Sequence, residues 1–215
     1  VDNDDGTEFN WTVAHIGKLL ELLIGESPEF ERILRDADRR KPNSYDEPWN
    51  VIIYNDDLTP GNVLALQPRR KFGAFAFSFL ELGRDLLRVE VWPRVAFLLA
   101  TTIKHIRGGY SAAFRLLLRR SFLADDGLAR IGFLLAGLGH VKRMYAKPGF
   151  FVADMDALRA TLDVKGSSGS CACPLCKNVT INLEASHLSR YLLHISCADR
   201  RRFDRCSEQD YADRI

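Results

Sequence analysis

The sequence predicts an α/β fold, because helical and strand-like patterns are interleaved along the chain rather than grouped in separate blocks. Near the start of the chain, apolar residues recur at helical spacing, at Ile16, Leu19, Leu20 and Leu23. Two runs with the alternation typical of strands follow, over residues 50–54 and 71–82. Further helix-like and strand-like segments then succeed one another up to residue 162.

The composition is that of a globular protein. The chain has 215 residues, of which 47% are hydrophobic and 27% are charged, so it is long enough to bury a core as one domain with a small appendage. Its longest apolar stretches are far shorter than the ~18 residues that span a bilayer, and we expect no membrane segment. The five cysteines are odd in number and lie near one end, which argues against a secreted disulfide framework and indicates a reducing compartment, the cytosol or the nucleus.

The first region, residues 1–47, is predicted to be a helical lead-in that ends in a linker. The apolar spacing described above predicts its first helix. Ser27, Pro28 and Glu29 form a start signal for a second helix, since serine caps helices and proline is accepted in the first turn. Residues 42–48 are polar, contain prolines at both ends and show no periodicity, so they are predicted to form the linker.

Residues 48–165 are predicted to form the sheet and its flanking helices. In the run 71–82 both sets of alternating residues are largely apolar, which is typical of a central strand rather than an edge strand. Residues 92–106 and 110–123 have the pattern of two helices separated by glycines. The remaining predicted elements are a strand pair over 129–138 and 140–146, an extended run over 149–153 and a short helix over 156–162.

The last region, residues 166–215, carries the cysteines in a pattern typical of a zinc module. Cys173 and Cys176 are separated by two residues, and His194 and Cys197 repeat this gap further on, which gives C-x2-C-x17-H-x2-C. A structural zinc site needs four such ligands in a tetrahedron and leaves no position open for catalysis. We therefore predict that these four residues hold a structural Zn²⁺, with three alternative ligands, Cys171, His187 and Cys206. A redox pair and unpaired buried cysteines are the competing interpretations.

Acidic residues close two of the predicted strands. Asp56 and Asp57 follow the first strand, and Asp154 and Asp156 follow the run at 149–153. Carboxylates brought together from distant strands hold the Mg²⁺ ions of phosphodiester chemistry, which activate the nucleophile and stabilise the leaving oxygen. A role in turns or helix caps is the competing interpretation, because acidic residues are common where strands pass into loops.

Basic residues are bunched although the formal net charge is only +2, a value that by itself predicts no nucleic-acid partner. If the fold brought the bunches to one side, they would form a face that contacts phosphates. Taken singly, each bunch has the pattern of a solvated surface run. The bunches are residues 39–41, residues 69–71, Arg115 with Arg119 and Arg120, and residues 200–202.

Two stretches of the chain resemble transposases of the Kyakuja, Dileera and Zisupton superfamily. Residues 51–62, VIIYNDDLTPGN, followed by Arg70, Lys71 and the strand at 75–82, are similar to the family's opening catalytic strand and hairpin. Residues 149–154, GFFVAD, are similar to its second acidic block, and they lead into residues typical of its cysteine-bearing insertion, namely Leu158, Lys165, Gly166, Gly169, Cys173, Cys176 and Asn178. The resemblance covers roughly residues 48–203.

The resemblance implies an RNase H-like core with a mixed sheet, which cuts and rejoins DNA by means of an Asp, Asp, Glu triad and two Mg²⁺ ions. Asp56 matches the first acid, with Asp57 as its alternate, and Asp154 matches the second. No residue matches the third acid clearly, because Glu208 and Asp210 follow the last cysteine too closely. We therefore expect an incomplete transposase core in the nucleus, with DNA as partner, Mg²⁺ and structural Zn²⁺ as cofactors, and homo-oligomer formation left open.

Two other functions compete with DNA cleavage. One is a zinc-stabilised nucleic-acid-binding or interaction module without catalysis, in which basic residues contact phosphates. The other is an inactive transposon relic that retains only the fold. The position of two residues separates a nuclease from a binding module: catalysis requires Asp56 and Asp154 to lie on adjacent strands of one sheet, near enough to share a metal ion.

Overall fold

The computed structural model describes residues 6–8, 10–58, 71–137, 140–162, 173, 175–180, 183–194, 196–207 and 209–210. The helices are α1 (Ile16–Glu26), α2 (Pro28–Arg40), α3 (Ala100–Ile103), α4 (Gly109–Leu118), α5 (Met155–Thr161) and α6 (Leu183–Leu188). The strands are β1 (Trp49–Leu58), β2 (Phe72–Phe79), β3 (Arg94–Leu99), β4 (Phe133–Gly137), β5 (His140–Met144), β6 (Ala146–Ala153), β7 (Val179–Thr180) and β8 (Leu193–His194). Short 3₁₀ helices cover Leu80–Leu87, Val89–Val91 and Arg200–Arg202.

The second helix begins where the sequence predicts. The Oγ of Ser27 accepts a hydrogen bond of 3.2 Å from the backbone N–H of Phe30, and Pro28 lies in the first turn. Acidic residues in the first turn and basic residues in the last turn of α2 complement the helix dipole. Leu20 of α1 and Leu34 of α2 are fully buried. The predicted helical lead-in is therefore packed into the main core of the molecule.

Four strands form one mixed sheet in the order β3, β2, β1, β6. β1 runs antiparallel to β2, β2 runs antiparallel to β3, and β6 pairs with β1 in parallel. β2 is an internal strand, which confirms the prediction made from its two apolar faces. β4 and β5 form a separate antiparallel hairpin, in agreement with the predicted strand pair. The α/β class is confirmed by this arrangement of a mixed sheet with several helices.

The helix predicted over residues 92–106 is wrong for most of its length. Arg94–Leu99 is the strand β3, and only Ala100–Ile103 is helical. The run is apolar almost throughout, so its periodicity does not distinguish a buried strand from a helix. Pairing with β2 decides the outcome, because it satisfies the backbone hydrogen-bonding groups along one side of β3.

One face of the sheet packs against helices and forms the main core. On this face β1 carries Val51 and Ile53, and β2 carries Phe75, Phe77 and Phe79, all of them buried. Residues of α1, α2 and α4 belong to the same core, and α1 also packs on β4. Each large apolar side chain buried in this way stabilises the fold by about 1.5–3 kcal/mol.

A buried carboxylate ties the start of β1 to its neighbours. Glu81 accepts hydrogen bonds from the backbone N–H and the side-chain amide of Asn50, at 3.0 and 2.9 Å. It also pairs with Lys41 at 3.0 Å, and its side chain is only 1% exposed. These contacts join the end of α2, the start of β1 and the segment that follows β2.

The opposite face of the sheet is open over part of its surface. Tyr54 on β1, Phe97 on β3, and Phe150 and Val152 on β6 are between 37% and 54% exposed. Trp92, which precedes β3, packs edge to face on Tyr54 with a distance of 6.1 Å between ring centroids. We call this side of the sheet the open face.

The parallel pairing of β1 with β6 joins residues that are distant along the chain. Asn55 is in register with Ala153, and the register shifts between Val51 and Ile52. Gly149 lies at this irregularity, where a Cβ atom would be 2.7 Å from the Cβ of Asn50. Only glycine permits the two backbones to approach so closely.

The cysteine-bearing region consists of short elements. β7 pairs in parallel with β8, and Cys176 forms an isolated bridge with Arg205. The buried Asn178 donates a hydrogen bond of 2.9 Å to the carbonyl oxygen of Arg202 and accepts one of 2.8 Å from the N–H of Asp204. Within the part of the chain that the structure describes, no helix is long and apolar enough to cross a membrane.

Candidate functional site

Two of the predicted acids lie side by side where the pairing of β1 with β6 ends: Asp56 is inside β1, which continues to Leu58, and Asp154 directly follows β6. Asn55 on β1 is in register with Ala153 on β6, and the two strands run in the same direction. Asp56 and Asp154 directly follow these residues, and Asp154 keeps an extended backbone at φ −65° and ψ 170°. Both acids therefore stand at the same edge of one sheet, where the carboxyl ends of parallel strands form ligand sites in open α/β sheets.

Tyr54 links the two carboxylates electrostatically. Its hydroxyl donates a hydrogen bond of 2.9 Å to Oδ2 of Asp56. This hydrogen bond, partial burial and the negative charges of Asp56 and Asp154 raise the pKa of Tyr54 above its ordinary value of 10.0. The charge of Asp154 therefore acts on the same hydroxyl that is hydrogen-bonded to Asp56. We call Tyr54, Asp56 and Asp154 the acidic cluster.

Asp154 also caps a helix. Its Oδ1 accepts a hydrogen bond of 2.7 Å from the N–H of Ala157, the geometry of an N-cap for α5. The capping interpretation therefore applies to this residue, and the cap fixes the direction of its carboxylate. Capping uses one carboxylate oxygen, so it is compatible with metal binding. Asp57 pairs with Gly73 in the backbone ladder, but its side chain lies outside the described part of the structure.

In the described ranges, no group of three or more His, Cys, Asp or Glu side chains is arranged to hold a metal ion. Asp210, one of two late acids considered as a third member, is engaged locally. Its Oδ2 accepts hydrogen bonds of 2.6 and 2.7 Å from the hydroxyl and N–H of Ser207, and it lies 3.0 Å from the Nζ of Lys177. These contacts hold the pKa of Asp210 well below its usual range. Glu208 lies outside the described residues.

Backbone contacts bring three cysteines near one another in the C-terminal region, although in the described residues their side chains are not arranged as a metal-binding group. Burial and a hydrogen bond with Cys173 raise the pKa of Cys176 to about 11, and the charge of Cys206 acts in the same direction. The backbone N–H of Cys206 donates a hydrogen bond of 3.0 Å to the carbonyl of Leu175. All three cysteines carry free thiols. The structure thus brings Cys206, an alternative ligand in the prediction, beside the predicted pair of Cys173 and Cys176.

The other predicted zinc ligands make local contacts. The Nδ1 of His194 lies 2.6 Å from the hydroxyl of Ser196, and the thiol of Cys197 lies 3.8 Å from the carbonyl oxygen of Asp199. His187 is exposed on α6, and Cys171 lies outside the described residues. The participation of His194 and Cys197 in a zinc site stays a prediction.

Several of the basic bunches are engaged in ion pairs within the chain. Residues 39–41 pair with Asp36, Asp85 and Glu81 at distances between 3.0 and 3.8 Å. Arg120 forms a bidentate ion pair with Asp126. Arg69 and Arg70 lie outside the described residues. Cations that are already paired attract phosphate less, so these pairs weaken the hypothesis of a common phosphate-contacting face.

Three residues of the site are missed by the sequence analysis: Tyr54, which belongs to the acidic cluster, and Trp92 and Arg94, which border it. Tyr54 precedes Asp56 by two residues, a spacing that places both side chains on one face of a strand, so its involvement was detectable. Trp92 and Arg94 line the same part of the open face. They belong to the segment predicted to be helical, and only the pairing of β3 with β2 brings them to this site.

Comparisons of this chain with protein families, with curated proteins and with solved structures find no match. The resemblance to transposases therefore stays a prediction that rests on short motifs. The acidic cluster and the cysteines are therefore the features of the chain that bear on its function.

Proposed function

We propose that this chain carries part of the active site of a Mg²⁺-dependent enzyme that cleaves and joins DNA strands. The observation that carries the proposal is that Asp56 on β1 and Asp154, directly after β6, lie next to each other through the parallel pairing of these strands, with the charges of both carboxylates acting on the Tyr54 hydroxyl. The runs that resemble the transposase family contain these same two acids.

The strand arrangement supports an RNase H-like core. In such a core three antiparallel strands are followed by a fourth strand that pairs in parallel with the first. β1, β2, β3 and β6 have this order and these directions. The acids matched by the family resemblance would then lie on the first and fourth strands of the core, at the same edge.

The donor set fits a hard cation. Mg²⁺ prefers carboxylate oxygens and keeps several waters, and Asp154 is exposed to solvent. When bound, Mg²⁺ supplies activation of the attacking oxygen and stabilisation of the leaving oxygen. Asp56 and Asp154 would hold the ion. Tyr54 orients the carboxylate of Asp56, and the N-terminal turn of α5 orients that of Asp154. With two acids rather than three, we expect weak metal binding and slow cleavage.

The cysteines support a structural zinc ion in the C-terminal region. Cys173 and Cys176 have the two-residue gap of zinc modules, and Cys206 lies beside them. We include Cys173 and Cys176 in the ligand set, with Cys206, His194 and Cys197 as candidates for the remaining positions. This region is poor in regular structure, so binding of zinc would contribute much of its folding free energy.

A non-catalytic nucleic-acid-binding or interaction module is the second candidate function. It is favoured by one observation: within the described residues no third acid joins Asp56 and Asp154. In that case the thiols would stabilise the fold and the acidic cluster would have only a structural role.

Binding of Mn²⁺, a spectroscopic substitute for Mg²⁺, tests the proposal. We expect electron paramagnetic resonance to detect bound Mn²⁺, with affinity lowered at least about tenfold in Asp56→Asn and in Asp154→Asn. Asp46→Asn, at an exposed acid outside the sheet, is the matched control and should bind as the parent does. Slow nicking of supercoiled DNA by the parent chain in Mg²⁺ should be lost in the two cluster variants. Equal Mn²⁺ affinity and nicking in all four proteins would eliminate the proposed site.

A further inference from the structure

A cavity on the open face adjoins the acidic cluster and shares Tyr54 and Asp56 with it. Its volume is about 460 Å³, within the range of small-molecule pockets. It lies over β1 and β2 and reaches towards β6. Its lining includes Tyr54, Asp56, Ala74, Ala76, Trp92 and Arg94.

The cavity has aromatic walls and a small-residue floor. The rings of Tyr54 and Trp92 meet at 68°, with centroids 6.1 Å apart. Trp92 is held in place, because its Nε1–H donates a hydrogen bond of 2.9 Å to the carbonyl oxygen of Leu86. Ala74 and Ala76 form the floor, and their methyl groups leave the space above β2 open. An aromatic surface of this kind can stack on a planar ligand.

Polar groups stand at the rim of this apolar space. The Tyr54 hydroxyl and the Asp56 carboxylate lie on one side, and Arg94, which is exposed, also lines the cavity. A guanidinium supplies hydrogen-bond donors, and a carboxylate supplies acceptors. Because Asp56 is proposed to hold the metal ion, Arg94 and the Tyr54 hydroxyl are left to contact the edge of a nucleobase, and the positive charge of Arg94 complements its phosphate.

We propose that this cavity binds one unpaired nucleobase of the DNA strand whose phosphate lies at the acidic cluster. The inference rests on the proposed function, since it places the base next to the reacting phosphate. The base stacks on Trp92 and is bounded by Tyr54, and Arg94 contacts the backbone or the base edge. A base in this slot has left the double helix, so the site favours distorted or single-stranded DNA.

Binding of short oligonucleotides to the whole chain tests the inference. The probe is a single strand of about eight nucleotides with one 2-aminopurine, in Ca²⁺, and anisotropy and 2-aminopurine fluorescence are measured. We expect Trp92→Ala to weaken binding about 5- to 150-fold, the range for loss of one stacked base. Because Trp92→Ala also removes a packing contact, Ala76→Leu provides a second variant that fills the floor and leaves Trp92 intact. Both should reduce the change in 2-aminopurine fluorescence.

The controls separate base binding from other causes. Tyr45→Ala removes an exposed aromatic residue outside the cavity and should bind as the parent does. A probe with an abasic position should bind weakly to the parent, and Trp92→Ala should weaken it no further. Equal losses for single strands and for a fully paired duplex would overturn the inference, as would unchanged binding in Ala76→Leu. Competition by an apolar peptide but not by mononucleotides would assign the cavity to a protein partner and also overturn it.

Failure of this inference and failure of the proposed function give different results. If Trp92→Ala and Ala76→Leu bind the probe as tightly as the parent while Asp56→Asn still loses Mn²⁺, the cavity is not a base site and the metal site stands. If Asp56→Asn binds Mn²⁺ and nicks DNA as the parent does, there is no reason to place a phosphate beside the cavity. That result would overturn both the proposed function and the inference.

Discussion

The hydroxyl of Tyr54 and the carboxylate of Asp56 share a hydrogen bond of 2.9 Å on one strand. The two residues are two positions apart, so their side chains leave the sheet on the same face. The charge of Asp154, from the neighbouring strand, also acts on this hydroxyl. The ionisation of Tyr54 therefore reports on its interaction with each of the two acids that are proposed to bind metal.

Removal of either carboxylate should lower the pKa of Tyr54 towards its ordinary value of 10.0. The larger decrease is expected for Asp56→Asn, which loses both a hydrogen bond and a charge, and a smaller one for Asp154→Asn. Tyrosine titration followed by NMR with ¹³C-labelled tyrosine measures the effect. Asp125→Asn, at an acid whose side chain is 98% exposed, is the control. No change in Asp154→Asn would mean that the acids do not form one cluster.

The same pKa shift predicts how stability depends on alkaline pH. The folded protein holds the Tyr54 proton more tightly than the unfolded chain does, so this group stabilises the fold below pH ~10 and the contribution is lost as pH rises through the raised pKa. Urea unfolding at several pH values above 9 should show a steeper loss of stability in the parent than in Tyr54→Phe. Parallel curves would contradict the prediction.

Capping and metal binding by Asp154 should be separable. Asp154→Ala removes the cap of α5 and is expected to lower the free energy of unfolding by about 1 kcal/mol, whereas Asp154→Asn retains a capping side chain and should change it little. Both substitutions should weaken Mn²⁺ binding. Thermal unfolding monitored by circular dichroism measures the first effect. If Asp154→Asn binds Mn²⁺ normally, the residue is a cap and nothing more.

Asn55 should lower the stability of the fold rather than add to it. It is 1% exposed, and neither polar atom of its side chain has a hydrogen-bond partner. Replacing an unsatisfied buried amide by a hydrocarbon of similar size removes a desolvation cost, so Asn55→Leu should raise the free energy of unfolding by about 1–3 kcal/mol. Asn50→Leu is the matched control, since the amide of Asn50 bonds to Glu81 and its loss should be destabilising. Destabilisation by both variants to the same extent would refute the assignment for Asn55.

Glu81 should contribute strongly to stability because its partners depend on it. Glu81→Ala leaves the N–H and amide of Asn50 without their acceptor and is expected to cost about 1–3 kcal/mol for each unsatisfied donor in chemical unfolding. Glu90→Ala, at an exposed glutamate close by, should change stability by no more than about 0.5 kcal/mol. Similar effects of the two substitutions would show that burial of Glu81 does not matter.

Zinc content should identify the third cysteine of the site. Protein purified with zinc is expected to lose the ion in Cys173→Ser and in Cys206→Ser, since both residues lie close to Cys176. Retention of zinc in Cys206→Ser together with its loss in Cys197→Ser would favour the set predicted from spacing, with His194. Elemental analysis of each purified variant gives the answer, and a parent chain without zinc would contradict both sets.

Much of the fold was accessible from sequence because its signals are local. The Ser27 cap and Pro28 define the start of α2, and the two apolar faces of β2 identify an internal strand. β3 was not accessible, because its apolar run satisfies the patterns of both a strand and a helix. Its conformation depends on hydrogen bonds to β2, which sequence periodicity does not encode.

The candidate site was only partly accessible for the same reason. Asp56 and Asp154 stand at strand ends, which is visible locally, whereas their adjacency follows from the parallel pairing of β1 with β6. The approach of Cys206 to Cys173 and Cys176 likewise requires the bridge between Cys176 and Arg205. Ligand spacing favours residues that are close along the chain. It therefore predicts His194 and Cys197, rather than Cys206, as the remaining zinc ligands.

The pairing of β1 with β6 also affects the order in which parts of the chain fold. Between Asp56 and Asp154 the chain must complete β2, β3, α4 and the β4-β5 hairpin, and pairings over such separations form late. A nascent chain emerging from the ribosome would carry the first acid long before the second reaches it. Chains that are incompletely synthesised or misfolded would therefore lack the proposed nuclease activity. This activity would arise only after β6 has been synthesised and has paired with β1.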